Sequence, residues 1–250
     1  MVTERIICVA NRKGGVGKTT TAVSLAAAMS RGGCRTLLVD LDLQCNATSG
    51  LGAAPLASHP LVSGQSLTAA IVPTSVAGLD LLPGCRGFHD AEALAREDGP
   101  VRARMLQQLS TELTGYECVL FDCPPSMGPL TQMALAWSKE VLMPIQCEYY
   151  AMEGLAQMIE IIAKIIHQRK GQLAIGGVVL TMYDPTLELT GEVEDQVRDF
   201  FGEIVYRTVI PRDVCLSEAP SHGLSIFEYA PRSRGARAYA ELCLEVLERV

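Results

Sequence analysis

A chain of 250 residues that is 48% hydrophobic and 20% charged has the composition of a soluble globular protein with ample length for a large core. Its net charge of −7 excludes a coat of basic surface, so any nucleic-acid contact must come from a local patch. No signal-type leader precedes the first strand, and no apolar run approaches the roughly eighteen residues of a membrane helix; a cytoplasmic protein without membrane contact is expected.

In chain order, Ile6-Ile7-Cys8-Val9-Ala10 is an apolar run of strand length, and Ala22 to Met29 is rich in Ala and Leu and predicts a helix. Between them lies Asn11-Arg12-Lys13-Gly14-Gly15-Val16-Gly17-Lys18-Thr19-Thr20. A glycine-rich turn between a buried strand and a helix N-terminus is a phosphate cradle, because its N–H groups point inward and the helix dipole adds positive charge. Lys18 would reach the β- and γ-phosphates, and the Thr19 hydroxyl would hold Mg²⁺. The ordinary pattern needs a glycine five residues before Gly17, where this chain has Arg12. A second lysine, Lys13, stands at the front of the loop instead and places two cations on one triphosphate. The plainer alternative is a glycine turn with no ligand.

Arg35–Asp40 is a second apolar strand ending in an acid, followed by Leu41-Asp42-Leu43-Gln44. Ligands of open α/β sheets sit outside the carboxyl ends of strands, so Asp40 and Asp42 emerge beside the phosphate loop. One carboxylate can accept a hydrogen bond from a Mg²⁺-bound water, and the other can orient the attacking water. A solvated loop acid is the alternative for Asp42. Gln44 to Gly52 is polar and small, as a mobile switch loop should be. From Ala53 to Gly99 the signals weaken: a short helix over Ser66–Ile71 and a strand over Leu79–Leu82 are expected, and no chemistry. His89 with Asp90 resembles a helix start more than a catalytic pair. Helical spacing resumes around Val101–Leu113.

Tyr116–Asp122 is another buried strand ending in aspartate, and Asp122 completes the Mg²⁺ shell through water. Cys123-Pro124-Pro125-Ser126 follows as a stiff turn. Then come a helix (Leu130–Trp137), a strand (Glu140–Ile145) and the stretch Glu153–His167, whose Leu155, Ile159, Ile162 and Ile166 form a core-facing stripe. A strand over Leu173–Thr181, a helix over Glu192–Phe201, a strand over Val205–Ile210 ending in Pro211 and a closing helix from Ala236 to Val250 complete the chain. That last helix should bury Tyr239, Leu242 and Val246. Strands alternating with helices predict an α/β fold, a mainly parallel twisted sheet with helices on both faces, and one domain over residues 1–250. The nine cysteines are an odd, scattered number without a C-x-x-C pair, so they are expected to be reduced thiols, several in core strands.

At this point the residues resemble a family. The lysine-first loop Lys13–Thr19, Val39–Asp42, Asn46–Gly52 and Asp122–Ser126 look like the ParA/Soj family of partition ATPases, P-loop NTPases of the deviant Walker A type that includes MinD. So do Pro144–Leu155, with its Tyr149-Tyr150 pair, and Leu216–Gly223. The resemblance spans nearly the whole chain and is loosest between Ala53 and Gly99. It implies ATP and Mg²⁺ bound at Gly14–Thr20, with Thr19, Asp40 and Asp122 around the metal. It implies a homodimer closed on ATP, in which Lys13 of each subunit reaches the other's phosphates and Asp42 positions the hydrolytic water. Met182 and Pro211 match positions near the adenine, and Glu148 one near the dimer face. Non-specific DNA binding by the ATP dimer, stimulation by a ParB-type partner, slow turnover without it, and nucleoid association are implied as well.

Departures from the family pattern bear on that reading. The usual Asp-Pro-Gln-Gly-Asn is Asp42-Leu43-Gln44-Cys45-Asn46 here, which changes the stiffness of the switch but not its acid. Arginines associated with DNA binding in relatives are replaced by Thr186 and Cys215. From Arg198 to Arg237 six arginines face five acids, so the region is hardly basic. Weak, salt-sensitive DNA binding is expected, through Arg207, Arg212, Arg232, Arg234 and Arg237; a merely solvated face is the alternative. The chain begins almost at its first strand, so no operator-binding helix-turn-helix is expected. The acidic end Glu241–Val250 fits core packing better than a MinD-like membrane tail, and the cysteine placement does not suit an iron–sulfur ATPase. A non-chromosomal cargo on the same switch stays open.

Overall fold

The structure, a computed structural model, describes residues 5–87, 100–148, 151–168 and 172–249. Eight strands form one sheet in the order β3-β4-β2-β5-β1-β6-β7-β8. They are β1 (Arg5–Val9), β2 (Thr36–Asp40), β3 (Val72–Pro73), β4 (Leu79–Leu82), β5 (Cys118–Asp122), β6 (Glu140–Gln146), β7 (Ala174–Tyr183) and β8 (Val205–Pro211). Every pairing is parallel except β3 with β4. The central strands β1, β2 and β5 are buried at every position, which is why they read as unbroken apolar runs rather than alternating ones.

Two cores lie on opposite faces of the sheet. One packs under the helices α1 (Lys18–Arg31) and α10 (Arg234–Glu248), with Leu25, Met29, Tyr239, Leu242 and Val246 at its centre. The other packs under α4 (Pro100–Glu112), α5 (Pro129–Trp137), α6 (Ala151–Gln168) and α7 (Glu188–Phe201), where Leu155 and Ile162 are buried and Ile159 and Ile166 half-buried. Each fully buried aliphatic or aromatic side chain contributes on the order of 2 kcal/mol. The buried hydroxyls of Thr21 and Tyr239, 3.0 Å apart, tie α10 to the helix that follows the glycine loop. All nine cysteines are free thiols.

Two local expectations differ from the structure. Ser66–Ile71 is not a helix: the Glu112 carboxylate accepts from the Ser66 hydroxyl and the Leu67 N–H, both at 2.7 Å, and leaves only a turn over Leu67–Ala70. The helical turn lies earlier, in α3 (Pro60–Ser63), with proline pre-setting its first φ and His59 Nδ1 accepting from the Leu61 N–H. Gln44–Gly52 is not an irregular loop either, since it contains α2 (Asn46–Gly50) with Ala47, Thr48 and Gly50 buried. Two short helices, α8 (Val214–Glu218) and α9 (Ile226–Tyr229), occupy a stretch to which the sequence pattern assigns no element. His89, Asp90, Tyr149 and Tyr150 lie outside the described residues.

Burial holds His59 neutral, its pKa pushed down from 6.5 to about 3. The unfolded chain takes up a proton below 6.5 that the folded chain refuses, so this contribution is complete above that pH and is lost as pH falls towards 3. His59→Asn keeps a cap acceptor without the titration. Between pH 6.5 and 5, chemical denaturation should show the wild type losing about 2 kcal/mol more than the variant.

Candidate nucleotide and metal site

The parallel register places the site. Asp40 and Asp122 are register partners at the ends of β2 and β5, and Val9 at the end of β1 is paired with Asp122 as well. The chain leaving β1 therefore enters the glycine loop directly above two carboxylates. That loop is held at three points: Asn11 Nδ2 donates to the Pro144 carbonyl at 2.8 Å, Thr181 Oγ1 to the Val16 carbonyl at 2.9 Å, and Lys18 Nζ to the Lys13 carbonyl at 2.8 Å. Gly15 and Gly17 have φ of 76° and 85°, so a side chain at either would strain the turn. α1 begins without a side-chain cap and without an acid in its first turn, which leaves its N–H groups and dipole directed at an anion.

Gly14, Gly15, Gly17, Lys18, Thr19, Thr20, Asp42 and Met182 line one cleft of about 260 Å³. The Val16 side chain is buried beneath it. Pro211 is the register partner of Tyr183, next to Met182, whose φ of 54° is unusual for a residue with a side chain. Expected site residues from four separate segments thus converge here. A larger cavity, about 1000 Å³, opens at the opposite end of the sheet. Its arginines are paired within the chain: Arg5 with Glu140, and both Arg207 and Arg249 with Glu245. The smaller cleft is the chemical site.

The three acids have different environments. Asp122 is fully buried, and neither of its oxygens has a hydrogen-bond partner among the described residues. Burial, and then the charge of Asp40, push its pKa well up, although Thr19 and Lys18 favour the charged form from nearby. A buried carboxylate in that position needs a proton or a cation. It therefore fits a divalent ion held by Thr19, with Asp122 behind a coordinated water. Asp40 is equally buried but has three protein donors: Oδ1 accepts from the Asp42 N–H at 3.0 Å, and Oδ2 from the Thr48 N–H and hydroxyl at 2.9 and 2.6 Å. Three of its acceptor sites hold the switch segment, at the strand end beside the phosphate loop. Asp42 is 6% exposed, and its Oδ1 accepts from the Gln44 N–H at 2.9 Å.

The two lysines also differ. Lys18 is 6% exposed, and burial lowers its pKa against the attraction of Asp122 and Asp42. Lys13 is half-exposed, and its ammonium meets the equally open Glu148 in a surface ion pair. Such pairs are worth little and are readily exchanged.

The arginines divide into two groups. Arg212, Arg232, Arg234 and Arg237 are exposed; Arg234 donates to the Arg212 carbonyl at 3.3 Å and Arg237 to the Arg232 carbonyl at 3.1 Å. The Arg207 guanidinium lies farther down β8, within 3.5 Å of Glu245 and 3.7 Å of Glu248. Thr186, in the turn after β7, and Cys215, in α8, follow two segments joined by the Arg212 N–H donating to the Tyr183 carbonyl at 2.9 Å. Sequence reasoning assigned no role to Thr48, Thr181 or Asn11. Thr48 and Asn11 stood in quoted motifs, and Thr181 only at the end of a strand.

A family model described as an AAA domain matches residues 4–175. The chain is 43% identical over 247 residues to the sporulation initiation inhibitor protein Soj of Bacillus subtilis, covering 97% of this chain and 98% of that protein. The chain belongs to the ParA/Soj family. The chromosome-partitioning ATPase Soj of Thermus thermophilus is 45% identical, covering 98% of this chain and 96% of its own. Among solved structures, cobyrinic acid a,c-diamide synthase from Mycobacterium smegmatis, crystallised with an ATP analog and magnesium, superposes with a TM-score of 0.84. It is 32% identical and covers 98% of this chain and 95% of that one. Like other ParA/Soj members, this chain is a P-loop ATPase of the MinD/ParA type.

Folded Asp122 holds a proton that the unfolded chain has released, so its contribution to stability falls as pH rises above its ordinary value of 3.8. In EDTA, Asp122→Asn should melt above the wild type at pH 8, with the gap closing towards pH 5. Adding Mg·ATP should raise the melting point of the wild type and not that of the variant.

Proposed function

We propose that this chain is an ATP-dependent dimerising switch of chromosome or plasmid partition. ATP binds with its phosphates on Gly14–Thr20, neutralised by Lys18; Thr19 and Asp122 would hold Mg²⁺, which would supply further positive charge to the phosphates. Two copies close face to face, and each Lys13 leaves Glu148 for the phosphates of its twin. Asp42 orients the attacking water. Hydrolysis removes the charge that holds both lysines and releases the dimer, an order-and-release switch. The observation that carries this reading is the division between the lysines: Lys18 is buried under the loop, while Lys13 is open to a second molecule.

Support for the partition role comes from family membership, since two of the relatives above carry the names Soj and chromosome-partitioning ATPase. Arg212, Arg232, Arg234 and Arg237 form the local basic patch that an acidic protein needs to meet DNA without sequence preference. A ParB-type partner then stimulates turnover that is slow without it. α10 buries Tyr239, Leu242 and Val246 against the sheet, which does not favour a membrane-seeking tail.

Lys13→Gln should bind ATP within about threefold of the wild type and yet stay monomeric with a slowly hydrolysed analogue in light scattering. Asp42→Ala should instead accumulate the dimer with ATP itself and release no phosphate. A dimer of the glutamine variant, or normal turnover of the alanine variant, would overturn these roles.

Binding to long duplex DNA should need ATP, and log K of the dimer against log salt should slope no more steeply than about −7, eight arginines releasing about 0.9 counterion each. Arg234→Ala, which removes one arginine from each protomer, should flatten that slope by about two. Affinity that ignores salt, or that persists without nucleotide, would remove DNA from the reading.

A further inference from the structure

Thr48 is buried on α2, six residues beyond Asp42, and its hydroxyl sits in the middle of a continuous hydrogen-bond chain. The Gly84 N–H, in the loop leaving β4, donates to Thr48 Oγ1 at 2.8 Å. The Thr48 hydroxyl donates to Asp40 Oδ2 at 2.6 Å, with the Thr48 N–H beside it at 2.9 Å. Asp40 Oδ1 in turn accepts from the Asp42 N–H at 3.0 Å. The chain therefore runs from a neighbouring strand end, through one hydroxyl and one carboxylate, to the backbone of the residue whose side chain faces the nucleotide cleft.

The surroundings leave this chain no alternative partners. A Cβ at Gly84 would come 3.0 Å from Asp40 Cγ and 3.1 Å from Cys45 Sγ, so the loop approaches as closely as glycine permits. Thr48 and Asp40 are both 0% exposed, so water cannot replace a lost donor without rearrangement. Cys45, between Asp42 and Thr48, has φ of 52°, in the left-handed region that favours glycine. The backbone between the two residues is thus held in a conformation that its own side chain disfavours. Something outside that segment must fix it, and the Thr48–Asp40 contact is the tie the geometry offers.

We infer that Thr48 is a positioning residue for ATP hydrolysis: through Asp40 it fixes the backbone from which Asp42 directs the water. The inference rests on the role given to Asp42 under the proposed function. Thr48 itself is buried behind the cleft and is not one of its lining residues. Its effect falls on the hydrolytic step and leaves binding alone, because the phosphate loop is anchored separately by Asn11, Thr181 and Lys18.

The test compares Thr48→Val, which keeps the shape and removes the hydroxyl, with Thr48→Ser, which keeps the hydroxyl. Gly84→Ala disturbs the chain from its other end. Steady-state ATPase is normalised to active sites counted by fluorescent ATP binding. The valine variant should lose about 10- to 100-fold in kcat with KM and nucleotide affinity within about twofold, and the serine variant should recover most of the rate. Gly84→Ala should show the same split, and it decides the matter if the valine variant does not fold. A structural role would lower the melting temperature and the number of active sites but leave kcat per site unchanged; that result overturns the inference. So does a loss of affinity equal to the loss of rate. Asp42→Ala is run alongside: full activity there refutes the role of Asp42, whereas an inactive Asp42→Ala beside a fully active Thr48→Val refutes only the role of Thr48.

Discussion

Two carboxylates side by side in a dry sheet are the constraint from which the site follows. The register that pairs β2 with β5 sets Asp40 directly against Asp122, both fully buried. Charges at that separation in a low-dielectric interior cannot both stand uncompensated. The chain answers the problem twice, in different ways. Asp40 receives three protein donors, all from the segment that follows it, and so becomes the anchor of that segment. Asp122 receives none, and its compensation is left to a proton, to Lys18 and to whatever cation arrives with the nucleotide. One acid has become structure and the other remains a receptor, although each ends a buried strand in the same way.

The same economy separates the two lysines. Lys18 starts a helix whose N-terminus has no acid and no side-chain cap, and its amine is folded back under the loop onto the Lys13 carbonyl. Its partner is fixed by the local backbone. Lys13 stands only five residues earlier, yet it is on the outside, with an ion pair to Glu148 in high dielectric that a phosphate can outcompete. A phosphate is the better partner because it carries more charge than a single carboxylate and accepts several hydrogen bonds at once. What distinguishes a resident cation from a lent one is therefore burial.

Much of this was legible in the sequence because the relevant signals are local. Unbroken apolar runs ending in Asp40 and Asp122 mark central parallel strands, and the glycine–lysine loop is a contiguous pattern. The stripe through Leu155 and Ile162 and the buried face of Tyr239, Leu242 and Val246 follow helical period over several turns. The failures are short elements decided by distant partners. Ser66–Ile71 has the composition of a helix start, but the carboxylate that spoils it comes from Glu112. α2 contains Asn46, Thr48, Ser49 and Gly50, all poor helix formers that suit a loop, and it becomes helical because Thr48 is bound to Asp40 and Gly84. The tie from Thr48 to Asp40 was invisible for the same reason: the pattern shows an acid at a strand end but not the donors that reach it.

The switch segment is fixed on its other side as well. Gly50 lies against Pro220, where a Cβ would sit 3.4 Å from the proline ring. A Cβ on Gly223 would come 2.9 Å from Gly52 Cα, so these two backbones touch with no side chain between them. The stretch Ala219–Gly223 follows directly from α8, whose cap Asp213 also accepts from the Gly235 N–H at 2.8 Å, next to Arg234. Close-packed interiors shift between discrete arrangements rather than yielding smoothly. A displacement of α2 large enough to move Asp42 cannot be absorbed at a contact between two glycines. The segment that carries Asp42 and the segment that leads from Arg212 to Arg234 are therefore packed backbone against backbone.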